Sequence, residues 1–147
     1  MYRPASRRSR VLLACTTESA GTLRRALERL DAEISCAFSK EEAMARVDGG
    51  VDLVVCSLRF DESRMLDFMA QLARERPRLP LVCCHVTDSD LPGPSLDAAF
   101  TAAGYLGAVA VVNLPDLARR QGADLAESSL REAVASNLHD VARVSMS

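Results

Sequence analysis

Leu53-Val54-Val55-Cys56-Ser57 is a short, unbroken apolar run closed by a hydroxyl residue. It is too brief for a helix, and it lacks the alternation of a half-exposed strand. Runs of this kind suit a parallel strand covered by helices on both faces. Working outward, the pattern returns on either side. Val11-Leu12-Leu13-Ala14-Cys15 precedes it, and Leu81 to Val86 and Ala108 to Asn113 follow. Ile34, Cys36 and Phe38 alternate with Glu33, Ser35 and Ala37, which is strand period and suits an edge position.

Between these strands the apolar residues recur at helical spacing. Ala20, Leu23, Ala26, Leu27 and Leu30 form one stripe, with Arg24, Arg25, Glu28 and Arg29 opposite. Ser39 and Glu42 have the spacing of a capping box for a short helix through Ala43, Met44 and Val47, which Gly49-Gly50 ends. Met65, Leu66, Met69, Leu72 and Ala73 mark a third helix stopped by Pro77, and Leu96 to Ala103 a fourth. Thr87 to Ser95, rich in Asp, Pro, Gly and Ser, reads as a loop, and its Leu91-Pro92-Gly93-Pro94 is a candidate recognition element. Pro115 breaks the fifth strand. A long last helix then carries Leu125, Leu130, Val134, Leu138 and Val141, with Asp124 and Glu127 in its first turn.

Strictly alternating strands and helices imply right-handed crossovers and a parallel sheet. The expected fold is α/β, a flavodoxin-like, doubly wound three-layer sandwich. It has five parallel strands in order 2-1-3-4-5 and about five helices. A basic arm over residues 1–9 precedes one domain over residues 10–147, a length that fits a single core.

Composition narrows the function classes. A hydrophobic fraction of 48%, a charged fraction of 26% and a net charge of -2 describe an ordinary globular chain. They give no global argument for nucleic acid. Positive charge concentrates only at Arg3, Arg7, Arg8 and Arg10. No apolar run approaches the roughly 20 residues that span a bilayer. Five cysteines within expected strands show no metal-ligand spacing, and fit thiols used as small buried hydrophobes in a reducing cytoplasm. Cys83 and Cys84 are adjacent on a strand and therefore face opposite ways.

Ligands of open parallel sheets bind beyond the carboxyl ends of the strands, where strand order reverses. The residues expected there are Cys15, Thr16, Ser57 and His85. Two readings are open. Cys15 and His85, with Ser57, form a nucleophile–base pair or thiol sensor; or a disused pocket has been filled with small, weakly polar residues. No acid that would orient the histidine is identifiable.

Several segments together resemble the receiver domain of two-component response regulators. Asp52 to Ser57 is similar to the family's third strand, Ser39-Lys40-Glu41-Glu42-Ala43 to the start of its second helix, and Pro80 to Val86 to its fourth strand. Gly107-Ala108 to Leu114-Pro115 is similar to its fifth strand and proline turn. The resemblance spans roughly residues 10 to 144. It implies an acidic pair after the first strand, a phospho-accepting aspartate ending the third, a hydroxyl ending the fourth and a lysine before the proline. Those positions here read Cys15-Thr16, Ser57, His85 and Leu114. Thr87, two positions past His85, would restore the hydroxyl only if the register slipped. Lys40, the sole lysine, is placed at the opposite end of an edge strand, away from the site. Mg²⁺ needs hard oxygen ligands, and a thiol and two hydroxyls supply no carboxylate. Asp61 and Glu62 are read as caps of the following helix.

The resemblance thus implies a degenerate, stand-alone receiver in bacterial-type signalling, cytoplasmic, non-enzymatic and without metal or cofactor. Its implied partners are signalling proteins such as a histidine kinase or output protein, with homodimerisation through the last helix. Arg131 and Asp140 mark that helix's exposed side, and His139 is a surface residue.

Overall fold

The computed structural model describes residues 8–61, 64–87 and 93–146. Five strands alternate with helices: β1 (Ser9–Ala14), α1 (Thr17–Leu27), β2 (Ala32–Ala37), α2 (Lys40–Asp48), β3 (Leu53–Ser57), α3 (Met65–Glu75), β4 (Leu81–His85), α4 (Gly93–Tyr105) and β5 (Ala110–Asn113). Two helices close the chain, α5 (Leu114–Gln121) and α6 (Ala123–Met146). The strands form one parallel sheet in the order β2-β1-β3-β4-β5. The order reverses between β1 and β3.

Every residue of β3 and β4 is buried, as their unbroken apolar runs require. Alternation splits the core into two layers. Leu13, Val55, Val82 and Cys84 pack with Leu23, Leu27, Leu130 and Val134 on one face. Leu12, Val54, Cys56 and Cys83 pack with Phe68, Met69, Leu72 and Val47 on the other. Cys83 and Cys84 therefore do lie on opposite faces. In the second layer Phe60 and Phe68 meet at a centroid distance of 5.2 Å and 59° between planes.

Three local expectations are corrected. The described residues contain six helices, because Leu114-Pro115 begins a helix instead of only ending a strand. Asn113 caps α5 by accepting the Asp116 N–H at 3.1 Å, and proline suits a first turn whose N–H groups have no intrahelical partner. Gly122, at φ 95°, separates α5 from α6 and donates its N–H to Ala118 O. Secondly, α4 begins at Gly93, inside the stretch expected to be loop. Thr87 is exposed; Leu91 and Pro92 lie outside the described residues. Thirdly, the reciprocal arm of the capping box lands one residue early. Ser39 Oγ accepts the Glu42 N–H at 3.1 Å, but Glu42 Oε1 accepts from Phe38 N–H. Among the described residues, no helix is long and apolar enough to cross a membrane.

Candidate functional site

At the carboxyl ends of the strands, Thr16, Ser19, Ser57, Leu58, Arg59, His85, Val86 and Thr87 enclose a cavity of about 10 Å³. Such a volume holds at most about one water molecule. Ser57 ends β3 and His85 ends β4, each only 3% exposed. Ser57 Oγ is buried and has no hydrogen-bond partner among the described residues.

Thr16 reaches this cavity as the N-cap of α1. Its Oγ1 accepts the Ser19 N–H at 3.1 Å, while Ser19 Oγ accepts the Thr16 N–H at 3.3 Å and lies 2.9 Å from Thr16 Oγ1. The two hydroxyls thus satisfy the helix start and each other. This second capping box was not anticipated, although Thr16 and Ser19 carry the spacing.

Of the expected constellation, Thr16, Ser57 and His85 line this cavity, whereas Cys15 and Leu114 do not. Cys15 is fully buried in the layer that holds Leu13, Leu23 and Leu114, with its Sγ 3.7 Å from Leu13 O. Burial first, and then neighbouring Cys36, push its thiol up to about 12. A thiol so placed is protonated at neutral pH, whereas the thiolate is the nucleophile. Cys83 is likewise pushed up to about 12 by burial, and burial drives Cys56 and Cys84 upward too. The described cysteines are all free.

Asp61 and Lys40 also differ from the sequence reading. Lys40 stands just past the carboxyl end of β2, on the same rim of the sheet as Ser57, and not at the opposite end. Its backbone N–H donates to Asp61 Oδ2 at 2.8 Å. Asp61 therefore caps α2 across the fold, instead of the helix that follows it; Arg64, at the N-cap of α3, makes no side-chain cap. Asp61 also pairs with Arg64 at 3.3 Å and adopts a left-handed backbone at φ 48°. Aspartate tolerates that region better than most residues because its short polar side chain bonds locally. Its carboxylate is thus already engaged by two donors. Among the described residues, no group of three His, Cys, Asp or Glu side chains is arranged to hold a metal ion. Glu62 lies outside the described residues.

The last helix differs in the role of Arg131. Its Nη1 donates to Ala26 O at 2.9 Å, so it braces the end of α1 instead of facing solvent freely. Arg25 and Glu127 tie the same two helices at 3.0 Å. His139 and Asp140 lie outside the residues whose side chains are described. Elsewhere, a patch of apolar side chains stands in solvent beside β5: Tyr105 is 88% exposed, Val109 49% and Val111 44%.

No family model matches the sequence, and no curated protein does either. Solved structures are similar. The signal receiver domain of a putative Luxo repressor protein from Vibrio parahaemolyticus shares 13% identity at a TM-score of 0.71, over 95% of this chain and 97% of that one. The signal receiver domain of an HD domain-containing protein from Pseudomonas fluorescens shares 17% at 0.70, over 93% and 99%. A CheY-like response regulator receiver domain protein from Methanospirillum hungatei shares 14% at 0.69, over 93% and 98%. At these identities the likeness is one of fold: the chain adopts the flavodoxin-like arrangement of CheY-like receiver domains.

Proposed function

We propose that this chain is a degenerate receiver, a non-catalytic signalling module that acts by protein–protein interaction without aspartate phosphorylation. The observation that carries the reading is how little room remains at the strand ends among the described residues. The cavity's polar groups are the hydroxyls of Thr16, Ser19, Ser57 and Thr87, the His85 imidazole and the Arg59 guanidinium, around about 10 Å³, with no carboxylate among them. A phosphoryl group with its Mg²⁺ needs room and clustered carboxylates. Ser57 Oγ shares the cavity with His85 but makes no hydrogen bond to it or to any other described group, so it is not activated as a nucleophile. Leu114, at the position of the family's lysine, is spent on packing.

What such a module retains is surface. The exposed residues Tyr105 at the end of α4, Val109 in the turn before β5 and Val111 in β5 lie on the side through which receivers commonly dock. Exposed contiguous apolar residues of this kind mark interaction sites on soluble domains. The partner is a kinase, an output protein or a second copy of the chain.

The reading is tested by incubating the protein with acetyl phosphate or beryllofluoride and Mg²⁺, followed by intact-mass analysis and thermal melting. The expected outcome is an unchanged mass and an unchanged melting temperature. A stoichiometric phosphoryl adduct would overturn the reading.

A further inference from the structure

At the opposite, amino-terminal rim of the sheet, Arg10, Glu33, Ile34, Ser35, Arg46, Gly49, Gly50 and Val51 line a cleft of about 290 Å³. Arg10 comes from β1, Glu33 and Ser35 from the neighbouring β2, and Arg46 and the two glycines from the end of α2. The Arg10 backbone is fixed on both sides of its plane: its N–H donates to Asp52 Oδ2 at 2.8 Å and its carbonyl accepts from Asp52 N–H at 2.7 Å. Its side chain is another matter. The Nε atom is buried and carries no hydrogen bond, and the guanidinium makes no ion pair among the described residues. Arg10 as a whole is half-buried and stays charged at every working pH, and its buried Nε donor without an acceptor requires an explanation.

The groups around it supply none. Glu33 stands beside Arg10 in the strand register, but it is exposed and pairs with neither arginine. Asp48 is engaged by Arg76 at 2.8 Å. Arg46 meets only Glu42, at 3.8 Å on the exposed helix surface. The carbonyl end of α2 is already occupied, since Gly49 N–H bonds to Ala45 and Arg46 and Gly50 N–H to Val47. Gly50 adopts φ 104°, a backbone that favours glycine, and it lies beside the Arg10 guanidinium. The cleft itself is lined by two permanent cations, Arg10 and Arg46, and one carboxylate, Glu33, while Glu42 and Asp52 are engaged at its edge by Arg46 and the Arg10 N–H.

We infer that this cleft binds a small oxyanion, a compact phosphate ester or carboxylate, clasped by the Arg10 guanidinium with Arg46 beside it. Guanidinium forks match both oxyanions bidentately, whereas an ammonium would not. The cleft lies at the lower end of ligand-pocket volumes, which limits the guest to a small metabolite.

The test is a titration of the whole chain with inorganic phosphate and, separately, with succinate, each against sodium chloride of matched ionic strength. The readout is the amide resonances of Gly49 and Gly50. A saturable shift with either probe supports the site, and whichever probe saturates names the oxyanion. Arg10→Gln should weaken binding at least tenfold, or about 1.4 kcal/mol. Arg10→Lys should fall between, and Glu33→Gln should tighten binding by removing the like charge. Arg46→Gln, on the exposed helix, gives the same readout if Arg10→Gln unfolds the domain. Shifts no larger than those with chloride would overturn the proposal. So would binding untouched by both arginine variants, or a Glu33→Gln variant that loses stability and gains no affinity, which would make Glu33 the internal counter-ion.

Discussion

At the carboxyl ends of the strands, polar side chains enclose about 10 Å³; at the amino ends, arginines line a cleft of about 290 Å³. A doubly wound sheet ordinarily does the reverse, keeping its opening where strand order reverses. The difference follows from what fills each end. The cysteines fall in the second half of their strands or just beyond them: Cys15, Cys36, Cys56, Cys83 and Cys84. Together with Ala14, Ala37 and Leu114 they are small or apolar, so they close around the strand ends without needing counter-charges. The amino rim instead carries long cationic side chains whose heads keep neighbours apart. Mostly small side chains line the cavity at one rim, and Arg10 and Arg46 line the cleft at the other.

Alkaline pH should break the sealed end first, and by the most. Burial holds the Cys15 and Cys83 thiols up to about 12, against an ordinary 9.0, and displaces Cys56 and Cys84 in the same direction. The unfolded chain therefore ionises before the folded one. Their contribution is intact below about pH 9 and is lost as pH rises from there through the folded values, by roughly 1 kcal/mol each for Cys15 and Cys83 at pH 10. Denaturant melts from pH 8 to 10.5 should show this slope, and Cys15→Ala should reduce it while Cys56, Cys83 and Cys84 keep the remainder. A flat profile would mean that the thiols are not desolvated.

Next comes Ser57→Asp, which returns a carboxylate to the strand end. With no space and no metal cluster among the described residues, the ion is buried unpaired, and the loss should be about 3 kcal/mol. A variant as stable as the parent that gains a melting shift with Mg²⁺ would show that the sealed end can reopen. Asp61→Ala should cost less, about 1 kcal/mol, because α2 loses the acceptor for Lys40 N–H. Smallest is Ser57→Ala. Deleting a buried hydroxyl without a partner should leave stability unchanged or raise it by up to about 1 kcal/mol. A loss of that size would place an ordered water on Ser57.

The sheet was legible because β3 and β4 are buried on both faces and therefore read as apolar runs. The short α5 was not, because Pro115 was read as a stop and the Asn113 cap that makes it a start was passed over. At the site, residue types were readable but directions were not. The pleat of β1 ends at Ala14, and past that point alternation no longer says whether Cys15 or Thr16 turns toward Ser57. Asp61 was assigned to the helix next to it in sequence. Its partner is twenty-one residues earlier, a pairing that only tertiary structure supplies.

Lys40 is the only lysine in 147 residues, and it opens α2 with its amide held by Asp61. Amine-directed reagents therefore find a single ε-amino group, at the contact between the start of α2 and Asp61. Its labelling rate is a ready-made gauge of whether that joint opens when a partner arrives. A fluorophore attached there would report on the sealed rim without any engineered residue.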